Sequence, residues 1–376
     1  MDIRSTLQQF KARREQPTPA AAGDETVEPD SPESRPVGPA EPDIGSEPVG
    51  GPRSAKPAPF LDIPEHPRIG RVSDRPVVPV LSGVPTALPS LRADAGMLGG
   101  HWVAAASVTG LKHQVHGTTG QDAFGYTVTR DGSALVLVAC DGLGSRPLTA
   151  QIGAELITRL LLARAAGLDG AAFLADPPAA WRSLAAAVND ETPRISAALL
   201  PGVEDQALSS TVSACWVSLA PDRPEAHAFR IGDGNVVGMA GTLLEPHFPI
   251  AGGAINEVTG CLPHPNAIAW CEYARIDTGA WDLLAVTTDG IALDIAGSAG
   301  TRKWLAERWA MPSGAARMIE TLRYRREGSH DDRTAAVVWF PRARHATREA
   351  AAAPVEAPSD AGGPETPDLT SIGDLP

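Results

Sequence analysis

Proline and tryptophan are segregated along this chain, and that segregation limits what can fold. Of 35 prolines in 376 residues, 17 lie within residues 1–90, whereas all eight tryptophans lie between Trp102 and Trp339. A stretch dominated by Pro, Glu, Ala, Gly and Ser has too few large apolar side chains to offset the entropy lost on ordering it. The expected plan is one globular domain over residues 100–341, with a disordered Pro-rich tail over 1–99 and another over 342–376. Two pieces of the first tail stand apart. Ile3, Leu7 and Phe10 fall on one face of a short helix over 2–15, read either as a fraying terminus or as a docking peptide. Residues 60–84 carry more Ile, Val and Leu. They are expected to form an extended arm on the domain, because proline keeps them out of sheet interiors.

Charge and cysteine usage narrow the class. The 45 acidic residues outnumber the 32 basic ones, giving a net charge of −13 and a pI of about 5.2. Such a surface repels phosphate backbones and anionic lipid, so neither nucleic acid nor membrane is an expected partner. No apolar run reaches the ~20 residues of a membrane span. Residues 1–15 lack the apolar core of a secretory signal. Cys140, Cys215, Cys261 and Cys271 show no metal-like spacing and read as buried thiols in a reducing, cytoplasmic setting.

The middle of the chain mixes helix and strand. Strands are predicted over 102–109, 123–129, 134–140, 211–219, 226–231, 235–239, 267–276, 283–288 and 334–340, from β-rich or alternating apolar runs bounded by turn residues. Helices are predicted over 149–166, 179–200, 301–309 and 314–325. Strands joined by short turns, with helices grouped in pairs, indicate an α+β sandwich rather than alternating βαβ units.

Four aspartates sit at strand boundaries. They are Asp122 in Gln121-Asp122-Ala123, Asp141 in Cys140-Asp141-Gly142, Asp289 in Thr288-Asp289-Gly290, and Asp331 in His330-Asp331-Asp332-Arg333. A strand ending in Asp-Gly delivers a carboxylate to the sheet rim and then turns. Each alone is an ordinary turn signal. Together, if they converge, four like charges require a cation, and an oxygen-only donor set favours Mg2+ or Mn2+ over zinc.

These residues, taken in order with Val138–Ser145, Ser209–Ser213, Arg230–Gly234, Thr288–Ile291 and Asp331–Ala335, resemble the metal-dependent protein phosphatases of the 2C type. His113–Ala123 and Asn256–Thr259 are similar to a bacterial branch of that family. The resemblance covers residues 101–340 and neither tail. It implies a four-layer α-β-β-α sandwich of two antiparallel sheets flanked by helices. It also implies hydrolysis of protein phosphoserine and phosphothreonine by a metal-activated water at a two-ion Mg2+ or Mn2+ centre. Position by position, Asp141 matches the aspartate bridging the ions and Gly142 the residue whose carbonyl ligates one. Asp289 and Asp331 match ligands of one ion, and Asp122 matches the aspartate that holds metal-bound water. Gln121, Asp233, Asp332 and Thr211, with Ser145 and Asn256, fall where residues support the ligands. A phosphorylated protein is the implied substrate, with a serine/threonine kinase or its target as the natural counterpart.

Three positions depart from the family pattern. Gln121 stands where many relatives carry an acidic residue, Leu143 where some have a histidine proposed to protonate the leaving group, and Gly117 near the offset of a phosphate-binding arginine. His113 and His116 could supply a proton or a cation, or be ordinary loop histidines; His330 is a further candidate. The departures leave open an alternative, a catalytically weak module that binds a phosphorylated partner.

Overall fold

Ala134 to Cys140 is apolar at every position, and every one of these residues is buried. A strand reaches that state only when both its faces are covered. Val136, Val138 and Cys140 pack against helices, while Leu135, Leu137 and Ala139 enter a layer shared by two sheets. Other strands divide in the same way: Ala104 and Ala106 face helices where Val103 and Ala105 face the shared layer, and Val337 faces helices where Val338 faces the shared layer. The period of two along each strand therefore builds three apolar layers at once.

The structure is a computed structural model that describes residues 66–72, 81–82, 87–143, 149–250 and 260–340. All of these belong to the unit Pro64–Pro376. The helix expected over 2–15, the tail from 342 onward, Ser145 and Asn256 lie outside the described residues.

In chain order the elements are β1 (Leu91–Leu98), β2 (His101–Val108), α1 (Leu111–His116), β3 (Asp122–Val128), β4 (Ala134–Asp141), α2 (Ala150–Ala166), α3 (Gly170–Ala175) and α4 (Pro177–Leu199). They continue as β5 (Val212–Ser218), β6 (Glu225–Ile231), β7 (Asn235–Ala240), β8 (Leu243–Pro246), β9 (Glu272–Asp277) and β10 (Leu283–Thr287). The last four are α5 (Asp289–Gly297), α6 (Ala299–Trp309), α7 (Ala315–Leu322) and β11 (Arg333–Trp339). One sheet runs β1-β2-β11-β10-β7-β8 and the other β3-β4-β5-β6-β9, with every pairing antiparallel. Helices α2 and α4 cover the five-stranded sheet through Ile157, Leu161, Trp181 and Leu184. Helices α5, α6 and α7 cover the six-stranded sheet through Ile291, Leu305, Trp309 and Met318. This is the four-layer α+β sandwich expected from the sequence. Each large side chain fully buried in it contributes about 1.5–3 kcal/mol.

Three segments differ from their sequence-based reading. Leu91–Leu98 is an edge strand of the six-stranded sheet, although it lies in the stretch assigned to the tail. It pairs along its whole length with His101–Val108, so backbone bonding compensates for a half-exposed side-chain pattern. Ala267–Trp270 forms a 3-10 turn before β9 rather than the start of a longer strand. His264 and Trp270 pack ring to ring across that turn, at 4.4 Å between centroids. Asp289-Gly290 opens helix α5 instead of a turn.

The extended arm is present where it is described. The Ile69 amide donates to the Arg325 carbonyl (2.9 Å), the Arg325 amide to the Pro67 carbonyl (2.7 Å) and the Glu327 amide to the Arg71 carbonyl (3.2 Å). Ile69 is buried among the side chains under α6.

Candidate active site

Asp122 opens β3 and Asp141 closes β4, and the register sets the two directly opposite each other. The Thr211 amide and the Ser210 hydroxyl donate to the Asp141 carbonyl, at 2.8 and 2.7 Å. Thr211 therefore serves this position through its backbone. At Gly142 an added Cβ would stand 2.4 Å from the Ala150 carbonyl oxygen. Only glycine lets the end of β4 pass so close to the start of α2.

The other sheet supplies the remaining carboxylates from the same rim. The Thr288 hydroxyl, at the end of β10, donates to Asp122 Oδ2 (2.8 Å) and accepts from the Thr334 amide (3.2 Å). Asp289 follows as the first residue of α5, and Gly290 lies so near the next loop that a Cβ would meet the Asp332 carbonyl oxygen at 2.0 Å. Asp331 and Asp332 lead into β11 and point apart. Asp331 is half-exposed, with Oδ2 4.0 Å from Lys112 Nζ. Asp332 is buried and ties three segments together. Its Oδ1 accepts from the Gly110 amide (2.7 Å) and from His113 Nδ1 (2.9 Å), and its Oδ2 from the Gln121 amide (2.5 Å).

Charge is crowded at this rim. Burial, then the Asp332 charge, pushes the Asp122 carboxyl well above the usual carboxylate range. Asp141 is pushed the same way by burial and then by Asp122, Asp289, Asp332 and Asp331. Asp289 is raised to about 7 by burial and the charges of Asp233 and Asp331. Asp233 is raised too, mainly by burial, with Arg230 opposing and Asp331 adding to the shift. Four carboxylates drawn from both sheets are thus raised together, with the charges of Asp331 and Asp332 among the causes. The strain lies in holding them ionised together.

A divalent cation fits this charge pattern. Asp122 Oδ1 is buried with no hydrogen-bond partner, as is Asp233 Oδ1, and unpaired buried acceptors are costly unless something positive meets them. The donors are hard oxygens suited to Mg2+ or Mn2+. Among the described residues, no three His, Cys, Asp or Glu side chains already stand in a cation-holding arrangement, so side-chain adjustment accompanies any binding here.

His113 is buried in α1. Burial opposes its protonation, but the bond and charge of Asp332 outweigh that and raise its pKa overall. Its partner is Asp332 rather than the Asp122–Asp141 pair. Gln121 is buried, its amide and carbonyl both used in the frame while its side-chain nitrogen lacks a partner. His116 and His330 are exposed. Leu143 is half-buried, its amide donating to the Ser209 carbonyl at 2.9 Å. Gly117 ends α1 with a left-handed φ of 64°. Two residues at the site escaped the sequence reading: Thr288, which grips Asp122, and Arg92 of β1, which donates to the Asp122 carbonyl. A hydroxyl directly before the Asp289 rim was a signal for the first; nothing local signalled the second.

Residues 109–323 match the family model for protein phosphatase 2C. The chain belongs to the protein phosphatase 2C family. No curated protein matches it. Among solved structures, this phosphatase 2C chain is similar to the serine/threonine phosphatase Stp1 from Staphylococcus aureus, at 14% identity and a TM-score of 0.47, covering 72% of this chain and 100% of that one. It is also similar to the S. agalactiae serine/threonine phosphatase (13% identity, TM-score 0.46, 67% and 100% covered). A third is RsbX in complex with magnesium (12% identity, TM-score 0.42, 66% and 100% covered). The phosphatase 2C family is metal-dependent. Among the described residues of this member, no helix is long and apolar enough to cross a membrane.

Proposed function

We propose that this protein is a cytoplasmic, metal-dependent serine/threonine protein phosphatase that hydrolyses phosphoserine and phosphothreonine on a protein, a kinase or a kinase's target being the natural substrate. The observation that carries the reading is that Asp122 and Asp141 stand opposite each other at the end of the β3–β4 pairing, with Asp289 of the other sheet near enough to add its charge to theirs. Asp141, the Gly142 carbonyl, Asp289 and Asp331 would hold two Mg2+ or Mn2+ ions. When bound, such ions activate water and neutralise phosphoryl oxygens, which is most of what phosphoryl transfer needs.

The chain's own part is placement. Thr288 holds Asp122 Oδ2 and leaves Oδ1 free to orient a water molecule. Asp332 fixes the 110–113 and 120–121 segments around that carboxylate, and His113 is fixed by Asp332 in turn. A serine or cysteine nucleophile is not required.

The test is phosphate release from a phosphopeptide and from p-nitrophenyl phosphate with Mn2+, with and without EDTA. Wild type should turn over only with metal. Asp141→Ala should lose on the order of 10²–10³ in kcat, the scale of removing one transition-state charge stabiliser. A metal-independent rate, or an Asp141→Ala protein as active as wild type, defeats the proposal. The alternative, a weak relative that binds a phosphorylated partner, draws on the missing acid at Gln121, whose buried side-chain nitrogen has no partner. Phosphopeptide binding with weak Mn2+ uptake and no turnover would favour it.

A further inference from the structure

Two side chains of the edge strand β1 cross to β3 of the other sheet: Asp94, which accepts from the Tyr126 hydroxyl, and Arg92, which reaches the Asp122 carbonyl at the acidic rim. Asp122 and Asp141 are opposed in the register, and the adjacent ladder bond runs from the Gly142 amide to the Gln121 carbonyl. Antiparallel pairs alternate between bonded and non-bonded, so the Asp122 carbonyl points away from β4. Because β3 is an edge strand, no neighbouring strand receives that carbonyl, and Asp122 is 1% exposed. A buried carbonyl without a donor is costly. Arg92 supplies the donor: its Nη2 bonds the Asp122 carbonyl and lies 3.4 Å from the Ser107 hydroxyl, while its Nη1 bonds Glu155 of α2. The guanidinium fork is planar and fixed, so anchoring one arm on Glu155 sets the direction of the other.

We propose that Arg92 is a positioning residue for the metal centre: clamped by Glu155, it fixes the Asp122 peptide so that Oδ1 faces the space a cation and its water would occupy. Thr288 locks the carboxylate at its far oxygen and Arg92 locks the backbone behind it, so Asp122 is held from both ends. This inference rests on the phosphatase reading above. It assigns to β1, a strand before residue 100, a share in the chemistry.

The experiment uses the full-length protein and two readouts, Mn2+ affinity by titration calorimetry and steady-state kinetics on p-nitrophenyl phosphate. Arg92→Ala should weaken Mn2+ binding by about 10–100-fold, the usual effect of removing a group that orients a ligand from behind. It should also lower kcat at saturating Mn2+ while leaving KM within about twofold, since an interaction that orients the reacting groups acts on kcat. Glu155→Gln, a milder change, should move both readouts the same way to a smaller extent, and it decides the matter if Arg92→Ala does not fold. A raised KM with unchanged kcat and Mn2+ affinity would make Arg92 a substrate contact and overturn the proposal. So would lowered thermal stability with both readouts intact. If wild type itself neither binds Mn2+ nor turns over, the phosphatase reading falls and this inference falls with it. If wild type does both and the variants match it, only the role of Arg92 is lost.

Discussion

A single added methyl group reports how tightly the rim is assembled. At Gly290 it would stand 2.0 Å from the Asp332 carbonyl oxygen, a main-chain atom that cannot rotate away. Gly290→Ala gains helix propensity at the start of α5, worth about 1 kcal/mol, yet it must push apart the segments that carry Asp289 and Asp332. We expect a net loss of about 1–3 kcal/mol, the range for overpacking, read from urea midpoints, together with weaker Mn2+ binding. An equally stable variant would mean that the two segments part freely. At this scale the sequence is informative about chemistry that repeats at strand boundaries. Asp122, Asp141 and Asp289 are legible only jointly: each alone reads as a turn residue, and it is their recurrence at the ends of apolar runs that marks them. Arg92 is not, because its work is done on a residue 30 positions away, a relation that no local pattern encodes; Thr288 is marked by its place before Asp289, but not by its partner 166 positions away.

Among elements, the arm at residues 66–71 shows how a proline-rich segment can still belong to a domain. It adds backbone bonds to the loop between α7 and β11 and inserts Ile69 beside α6, with its Cγ2 3.0 Å from the Cβ position of Gly300. Ile69→Ala should cost about 2 kcal/mol, the low end for a buried isoleucine, and should speed hydrogen exchange at the Arg325 and Glu327 amides. Unchanged exchange there would show that the arm's backbone bonds hold without their apolar anchor. The reach of sequence reasoning follows burial here too. β4 and β11 are covered on both faces, so their unbroken apolar runs announce strands. β1 is an edge strand with no fully buried residue and with Arg92 and Asp94 in its midst, so its composition resembles a linker. Helix α5 hides for the opposite reason: nearly every residue of Gly290–Ile295 is apolar, so no helical face stands out.

The whole molecule answers to pH from two directions. His227 lies in the aromatic cluster with Trp216, Phe173 and Tyr273, near Glu225 and Arg275, and burial holds its pKa below 6.5. His247 is lowered for the same reason. Both take up protons more readily when unfolded, so stability falls as pH drops below about 6.5. The rim carboxylates work in the other sense. Asp122, Asp141 and Asp289 hold protons more tightly in the folded, metal-free protein, so their contribution is present at low pH and is lost as pH rises from about 4 through the value near 7 of Asp289. On the proposed function, a divalent cation bound at the rim would replace those protons. Mn2+ should therefore raise Tm more at pH 8 than at pH 5.5 in differential scanning calorimetry, and EDTA should reverse the difference. An equal rise at both values would mean that metal and protons do not compete for this rim.

Strand order has one more consequence. β11 comes last among the described elements, yet it sits between β2 and β10 in the six-stranded sheet and is introduced by Asp331 and Asp332. A nascent polypeptide emerging from the ribosome therefore carries most of its acidic cluster long before the piece that closes it has been translated. A product cut short before the loop that leads into β11 would lack the middle of a sheet together with Asp331 and Asp332, and with them, on the proposed function, the last carboxylates of a metal centre.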